Sequence, residues 1–135
     1  MTSPQPAHRE DSRLYIGLMS GTSVDGVDGV LARLGDGQPP QVLASASLPM
    51  PTDLRQELLA LNLSGEDELA RGALAANALA RLYAQAVSDL LREAGVAARD
   101  VAAIGAHGQT VRHRPDLGYT VQLNAPALLA ELTGI

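Results

Sequence analysis

Two apolar runs, Leu14–Met19 and Val27–Leu34, stand on either side of a short polar segment near the start of the chain. Each run has the length of a β-strand, and the Asp25-Gly26 pair between them is a common turn signal. The pattern therefore predicts two strands joined by a tight loop, which form the beginning of a sheet. The loop carries more hydroxyl groups and glycines than a turn needs, and this excess requires an explanation.

Three further apolar segments have the length of strands: Val42–Leu48, Val101–Ala106 and Tyr119–Leu123. Turn residues separate the second strand from the third, so the first three strands are predicted to form a meander of hairpins. Because Val101–Ala106 is apolar throughout, we expect it to lie in the centre of the sheet.

Three helices are predicted from capping residues and helical spacing: from Thr52 or Asp53 to about Asn62, from Ser64 to Ala94, and Ala125–Leu132. The second helix has an apolar stripe from Leu79 to Leu91, which we assign to the core. Gly95 is placed to end this helix, and Val96 is positioned for the accompanying apolar contact. This order of elements is that of a ribonuclease-H-like α/β domain. Its sheet should be mixed, because the first pairings are hairpins and the later ones need crossovers.

The composition excludes several classes of function. The chain has 135 residues, the size of one domain, and its net charge of -5 argues against a nucleic-acid-binding surface. It has no Lys, which excludes a Walker A phosphate loop and Schiff-base catalysis. It also has no Cys, which excludes disulfides, thiolate zinc sites and Cys nucleophiles.

Residues 1–13 are polar and lack the apolar run of a signal peptide. We expect them to form a flexible leader before a domain that covers residues 14–135. No apolar run reaches the length that spans a membrane, so no membrane partner is expected. The absence of Cys fits a cytoplasmic protein.

The polar segment between the first two strands has the parts of an anion site. Small residues leave the backbone N–H groups open to a ligand, and Gly21 and Gly26 permit a positive φ. Asp25 adds a carboxylate that can hold Mg²⁺, usually through water. Further hydroxyl donors come from Ser20, Thr22 and Ser23. These residues are equally compatible with an elaborate hairpin turn, so the chemistry alone leaves both interpretations open.

A second polar cluster follows the strand Val101–Ala106. His107, Gln109 and Thr110 come where the strand ends, and ligands of open α/β sheets bind at the carboxyl ends of strands. The alternative is that His107 is only hydrogen-bonded at the end of the strand. The next residues, Arg112–Arg114, read as a solvated loop that an anion could use. His8, His107 and His113 are too scattered in the sequence to form a metal site.

Three stretches resemble, in order, the signatures of the anhydro-N-acetylmuramic acid kinase family. They are "IGLMSGTSVDGVD" at Ile16–Asp28, "AHGQTVRHRP" at Ala106–Pro115 and "TVQLNAPALLAELTGI" at Thr120–Ile135. The resemblance implies the fold of sugar kinases, actin and heat-shock ATPases, in which two ribonuclease-H-like lobes enclose a nucleotide. Residues 14–135 would form the N-terminal, ATPase-type lobe, and the second lobe would lie outside this chain.

The resemblance also implies a role for the loop between the first two strands, which we call the phosphate loop. It would bind the phosphates of ATP through Gly21, Thr22, Ser23, Val24, Asp25, Gly26, Val27 and Asp28. Asp25 corresponds to the acid associated with the Mg²⁺-bound phosphates.

The implied reaction uses ATP to phosphorylate anhydro-N-acetylmuramic acid while water opens its anhydro bridge. The product is N-acetylmuramic acid 6-phosphate, and the role is peptidoglycan recycling in the cytoplasm. We expect His107, Gln109 and Thr110 to contact or orient this sugar. The sequence does not decide whether the full-length protein forms a homodimer.

The chain departs from the family in two respects. Asn124 stands where members usually have Gly, and Asn tolerates left-handed backbone geometry better than most residues. Members are also longer, and their catalytic Asp is expected beyond Ile135, so these residues alone are predicted to be inactive. Two alternatives remain at this point: a non-catalytic nucleotide-binding module whose partner supplies the rest, and a structural domain with an elaborate hairpin.

Overall fold

The computed structural model describes residues 12–135. Its elements in chain order are β1 (Arg13–Ser20), β2 (Gly26–Leu34), β3 (Gln41–Pro49), α1 (Thr52–Ala60), α2 (Glu68–Ala94), a 3-10 turn (Ala98–Asp100), β4 (Val101–Ala106), β5 (Gln109–Arg114), β6 (Tyr119–Leu123) and α3 (Pro126–Thr133). The predicted leader lies outside the described residues except for its last two. Of these, Arg13 already belongs to β1.

Four strands form one mixed sheet, in the order β3-β2-β1-β4. The first three strands pair antiparallel, as hairpins do, whereas β1 pairs with β4 in parallel. A parallel pair needs a crossover, and the helices α1 and α2 lie in the connection between β3 and β4. The prediction of a mixed α/β sheet with helices is confirmed.

The core lies between this sheet and α2. Side chains of β1 alternate between buried and exposed, so that Leu14, Ile16 and Leu18 face inward. The long helix α2 packs on β2 and β3, with Leu79 and Leu90 fully buried. α2 therefore covers the side of the sheet that β2 and β3 form, next to the loop that joins β1 to β2.

The end of α2 follows the sequence prediction. Gly95 adopts a left-handed conformation, with φ of 65°. Its N–H donates to the carbonyl of Arg92 at 3.3 Å, and the N–H of Val96 donates to the carbonyl of Leu91 at 3.0 Å. This pair of hydrogen bonds is a Schellman motif, which satisfies carbonyl groups that the helix leaves open.

The other helix bounds differ slightly from the prediction. The residue that precedes α1 is Pro51, and the helix ends at Ala60. The start of α2 is Glu68, four residues after the predicted cap, because Asp67 takes a left-handed conformation with φ of 53°. α3 is shifted by one residue, with Pro126 in its first turn.

The strand β4 has the predicted bounds, Val101–Ala106, but its predicted central place in the sheet is wrong. The strand β4 lies at the edge of the four-stranded sheet formed by residues 12–135, and much of its surface is exposed. Its small side chains, mostly Ala and Gly, make it apolar without making it central.

The segment Arg112–Arg114 is a strand rather than a solvated loop. It belongs to β5, which pairs with β6 in a separate two-stranded ribbon. The guanidinium of Arg112 donates to the carbonyl of Leu61 at 3.2 Å and pairs with Glu68. These contacts attach the ribbon to the connection between α1 and α2. The positive charge of Arg112, which suggested a solvated loop, therefore has partners within the fold.

Candidate functional site

The phosphate loop begins with a tight turn at the end of β1. The N–H of Val24 donates to the carbonyl of Gly21 at 3.1 Å. Val24 has a φ of 56°, which is unfavourable for a β-branched residue, and its side chain is only 2% exposed. The N–H of Met50 donates to the carbonyl of Asp25 at 2.9 Å, which holds the far end of the turn against β3. The core therefore fixes the backbone of this loop.

An open groove of about 500 Å³ runs along the loop. Six of the eight residues predicted to bind the nucleotide line it: Gly21, Ser23, Asp25, Gly26, Val27 and Asp28. The side chains of Val24 and Val27 are buried, so these two residues can offer only backbone groups to a ligand. Thr22 is exposed at the tip of the turn. The groove combines backbone amides, hydroxyl groups and carboxylates, which suits a phosphate chain with its metal ion.

Asp25 is an accessible acid of this groove, with its side chain 76% exposed. Nη2 of Arg55, on α1, lies 3.8 Å from Oδ1 of Asp25. Asp28 accepts a short hydrogen bond from the hydroxyl of Ser47 on β3. Arg55 could not be predicted from the sequence, because it lies on a separate helix about 30 residues away and only the packing of α1 brings it to the loop.

The donor set of the groove fits Mg²⁺ bound together with phosphate. Among residues 12–135 no three His, Asp or Glu side chains gather as a metal site of their own. Mg²⁺ commonly keeps several waters and takes one or two carboxylates, and substrate phosphates supply other ligands. A single exposed carboxylate such as Asp25, beside hydroxyl groups, is sufficient for that mode of binding.

Both ring nitrogens of His107 have partners. Nδ1 lies 3.1 Å from the carbonyl of Gly108, which can only accept, so Nδ1 carries the proton. Nε2 then accepts from Nε2 of Gln122 at 3.0 Å. This pair of contacts favours a proton on Nδ1, and it ties the ring to β6.

Gln122 is a polar residue of this region that the sequence prediction missed. It pairs with Thr110 across the β5–β6 ribbon, so the two side chains lie on the same face. Gln122 is exposed and Thr110 is partly exposed. Its position opposite a predicted site residue could have been found only by knowing that β5 is a strand.

Gln109 lies differently from the other two predicted sugar-side residues. It is 1% exposed, and its Nε2 donates to the carbonyl of Gly21 at 3.1 Å. The structure thus brings the second polar cluster against the phosphate loop, but through a buried side chain. Contact of His107, Gln109 or Thr110 with a sugar stays a prediction.

The comparisons with known proteins identify the family. The family model described as anhydro-N-acetylmuramic acid kinase matches residues 13–135. The chain belongs to the anhydro-N-acetylmuramic acid kinase family. It is 71% identical over 134 residues to the kinase of that name from Bordetella pertussis, and 61% identical over 126 residues to the one from Variovorax paradoxus.

The chain spans about a third of these relatives. The match covers 99% of this chain and 35% of the Bordetella pertussis kinase, and for Variovorax paradoxus the shares are 90% and 33%. A third relative, from Bordetella avium, is 70% identical over 135 residues, with 35% of its length covered. The kinase family is therefore established for residues 13–135.

Asn124 has a side-chain role in the structure, and not the left-handed backbone geometry that the sequence suggested. It is not among the residues with positive φ, so left-handed geometry does not explain it. Its Nδ2 donates to the carbonyl of Ala106 at 2.9 Å, and its Oδ1 accepts from the N–H of Ala125 at 3.0 Å. Asn124 thereby links the end of β4 to the start of α3, which a Gly could not do.

Tyr83 of α2 lies buried next to the two loops of the candidate site. Burial raises the pKa of its phenol, while the hydroxyl of Ser20 and the backbone of Gly108 and Ser20 partly oppose this rise. Among the described residues its hydroxyl forms no hydrogen bond of normal geometry. Tyr83 therefore favours the neutral phenol strongly in the folded state.

We expect this burial to appear in the stability of the protein at alkaline pH. The neutral phenol stabilises the fold fully below pH 10, and this contribution is lost as the pH rises from 10 towards the higher pKa of the folded state. The free energy of unfolding, measured by urea denaturation, should fall less steeply with pH above 10 in Tyr83→Phe. The difference should be at most about 1.4 kcal/mol per pH unit, the value for one proton.

Tyr119→Phe, on the more exposed strand β6, controls for the loss of a tyrosine as such. An identical alkaline slope in wild type and Tyr83→Phe would contradict the assignment.

Proposed function

We propose that this chain is the nucleotide-binding part of an ATP-dependent kinase that acts on anhydro-N-acetylmuramic acid. The observation that carries the proposal is the groove of hydroxyl groups, backbone amides and Asp25 along a loop that the kinase family shares. In the proposed reaction the γ-phosphoryl group of ATP is transferred to O6 of the sugar. Water adds at C1, the C1–O6 bridge breaks, and the products are N-acetylmuramic acid 6-phosphate and ADP.

The residues of the phosphate loop act on the nucleotide. Backbone N–H groups and the hydroxyls of Thr22 and Ser23 would donate to phosphate oxygens, while Asp25 would hold Mg²⁺ from the open side of the groove. When bound, Mg²⁺ neutralises charge on the phosphates. The chain has no Lys, so this metal and the arginines supply the positive charge available to the nucleotide.

The segment after β4 acts on the sugar. His107, Thr110 and Gln122 present ring, hydroxyl and amide groups within one short stretch of surface, joined by the contact between His107 and Gln122. These groups can hydrogen-bond the hydroxyl and acetamido groups of an amino sugar. Gln109 is buried and presents no side-chain group to this surface.

The fold supports a place in the superfamily of sugar kinases, actin and heat-shock ATPases. Two features support this part of the proposal: the mixed strand order β3-β2-β1-β4, and the open groove along the loop between β1 and β2. Within residues 12–135 no helix is both long and apolar enough to cross a bilayer. Because ATP is the phosphoryl donor, we place the reaction, and with it peptidoglycan recycling, in the cytoplasm. Homodimer formation by the full-length protein is part of the same proposal.

The test compares residues 1–135 with a full-length protein. The full-length protein is made by joining residues 1–135 to the remaining part of the Bordetella pertussis relative, to which they are 71% identical. With Mg-ATP and anhydro-N-acetylmuramic acid it should form sugar phosphate and ADP in equal amounts. Residues 1–135 alone should form none, because phosphoryl transfer depends on a closed site and the phosphate loop is one wall of it.

Two outcomes would contradict this proposal. Formation of sugar phosphate by residues 1–135 alone would show that the catalytic base lies within them. Binding of Mg-ATP by the full-length protein without any product would favour a non-catalytic nucleotide-binding module. The unmodified Bordetella pertussis relative serves as the positive control for the assay.

A further inference from the structure

Three hydrogen bonds join the end of β1 to the segment that follows β4. The N–H of His107 donates to the carbonyl of Leu18 at 2.9 Å. The hydroxyl of Ser20 donates to the carbonyl of Gly108 at 3.2 Å, and Nε2 of Gln109 donates to the carbonyl of Gly21 at 3.1 Å. Within residues 12–135, Ser20 and Gln109 are the polar residues classed as buried, at 3% and 1% exposure.

The carbonyl of Gly21 is held from two sides. It accepts from Nε2 of Gln109 and from the N–H of Val24, both at 3.1 Å. A trans peptide is planar, and its C=O and N–H groups point in opposite directions. The plane that contains this carbonyl also contains the N–H of Thr22. Fixing the carbonyl towards Gln109 therefore turns the N–H of Thr22 away from the buried side.

Gln109 has no donor left for a ligand. Its amide has two N–H groups, and Nε2 lies 3.1 Å from the carbonyl of Gly21 and 3.3 Å from that of Thr110. Its Oε1 is buried and has no hydrogen-bond partner among the described residues. Both N–H groups of the Gln109 amide are therefore directed at backbone carbonyls of the protein itself.

We propose that Gln109 is a positioning residue for the nucleotide rather than a contact of the sugar. It holds the carbonyl of Gly21 inward, so that the N–H of Thr22 is presented to a phosphate group. This inference rests on the proposed function of the phosphate loop. Gln109 was predicted to contact the sugar because it lies between His107 and Thr110 in the sequence. The inference assigns it to the nucleotide part of the site instead.

The test is the variant Gln109→Met in the full-length protein, with Mg-ADP as the probe. Met has a similar length and no N–H group, so the carbonyl of Gly21 loses one of its two donors. The dissociation constant of Mg-ADP without sugar, measured by calorimetry, should rise about tenfold, the effect expected for one hydrogen bond. The KM for ATP should rise in parallel, while the KM for the sugar should stay within about twofold.

Gln56→Met, an exposed glutamine on α1, is the matched control and should leave both constants unchanged. A higher KM for the sugar with unchanged binding of Mg-ADP would overturn the inference in favour of a direct sugar contact. A lower kcat with both KM values unchanged would overturn it in favour of a merely structural role. Thermal melting of each variant shows whether it is folded.

A second variant keeps the inference testable if Gln109→Met does not fold. Ser20→Ala deletes only one hydroxyl and so removes the neighbouring hydrogen bond from Ser20 to the carbonyl of Gly108. This variant should raise the dissociation constant of Mg-ADP about threefold. An unchanged value for folded Ser20→Ala would then overturn the inference. Binding of Mg-ADP is read without catalysis. A full-length protein that binds Mg-ADP in a Gln109-dependent way but forms no product would therefore retain this inference and reject the kinase proposal.

Discussion

Replacing Asp25 by Ala in the full-length protein is expected to lower sugar phosphate formation by roughly 100-fold or more, with almost no change in the melting temperature. The proposed role of Asp25 is to hold Mg²⁺ at the phosphates, and loss of one group that stabilises transferring charge commonly has an effect of about this size. The fold should tolerate the change, because the side chain is 76% exposed and its ion pair with Arg55 is long, at 3.8 Å.

Three further variants make this result specific. Asp25→Asn keeps the shape and removes the charge, so it should be nearly as inactive. Asp36→Ala removes an exposed carboxylate from the turn between β2 and β3, at the opposite end of β2, and should keep wild-type turnover. Arg55→Ala removes the partner of Asp25 and shows whether the ion pair itself matters. Wild-type turnover in Asp25→Ala at limiting Mg²⁺ would refute the role in metal binding.

Gly108→Ala is expected to lower the free energy of unfolding by about 3 kcal/mol or more. Gly108 has a φ of 77°, and a Cβ atom there would lie 2.4 Å from the carbonyl oxygen of Leu123 and 3.2 Å from Cβ of Asn124. The first contact is with backbone, so β5 and β6 would have to separate. Gly105→Ala is the control, because a Cβ there meets no atom within 4 Å and its φ is ordinary.

Urea denaturation of both variants measures the difference. Gly105→Ala should lie within about 0.5 kcal/mol of the wild type. Gly108→Ala should also weaken the binding of Mg-ADP in any fraction that folds, because Gly108 accepts the hydrogen bond of Ser20. Equal stability of the two variants would show that the segment between β4 and β5 can move without disturbing its neighbours.

Local patterns predicted the parts of the fold that depend on neighbouring residues. The hairpin around Asp25-Gly26, the stop of α2 at Gly95 and the mixed order of the sheet followed from turn residues, spacing and strand order. The strand β5 escaped prediction because three of its six residues are Arg or His. The burial of Arg112 against Leu61 and Glu68, which explains that charge, depends on packing between distant elements.

The residues of the candidate site also fall into two groups: those that local sequence predicts and those that depend on packing between distant elements. The composition of the phosphate loop was visible in one short stretch, and six of its eight residues line one groove. The contacts of Arg55, Gln109 and Gln122 were not visible, because each joins elements that are far apart in the chain or paired in an unpredicted strand. The side chain of Gln109 faces the core, whereas those of His107 and Thr110 are more exposed. The sequence alone did not predict this difference in direction.

The separation of Ser20 and Gly21 from their partners has a consequence for synthesis on the ribosome. Each of the two hydrogen bonds spans 88 residues. The strands β1, β2 and β3 are consecutive and can pair as they emerge. At about 5 to 20 residues per second, Gly108 and Gln109 are translated roughly 4 to 18 s after Ser20 and Gly21. During that interval the carbonyl of Gly21 lacks its second donor. The nascent hairpin therefore exists before its loop has the geometry proposed to bind nucleotide, and the proposed nucleotide site is incomplete until β4 has docked beside β1.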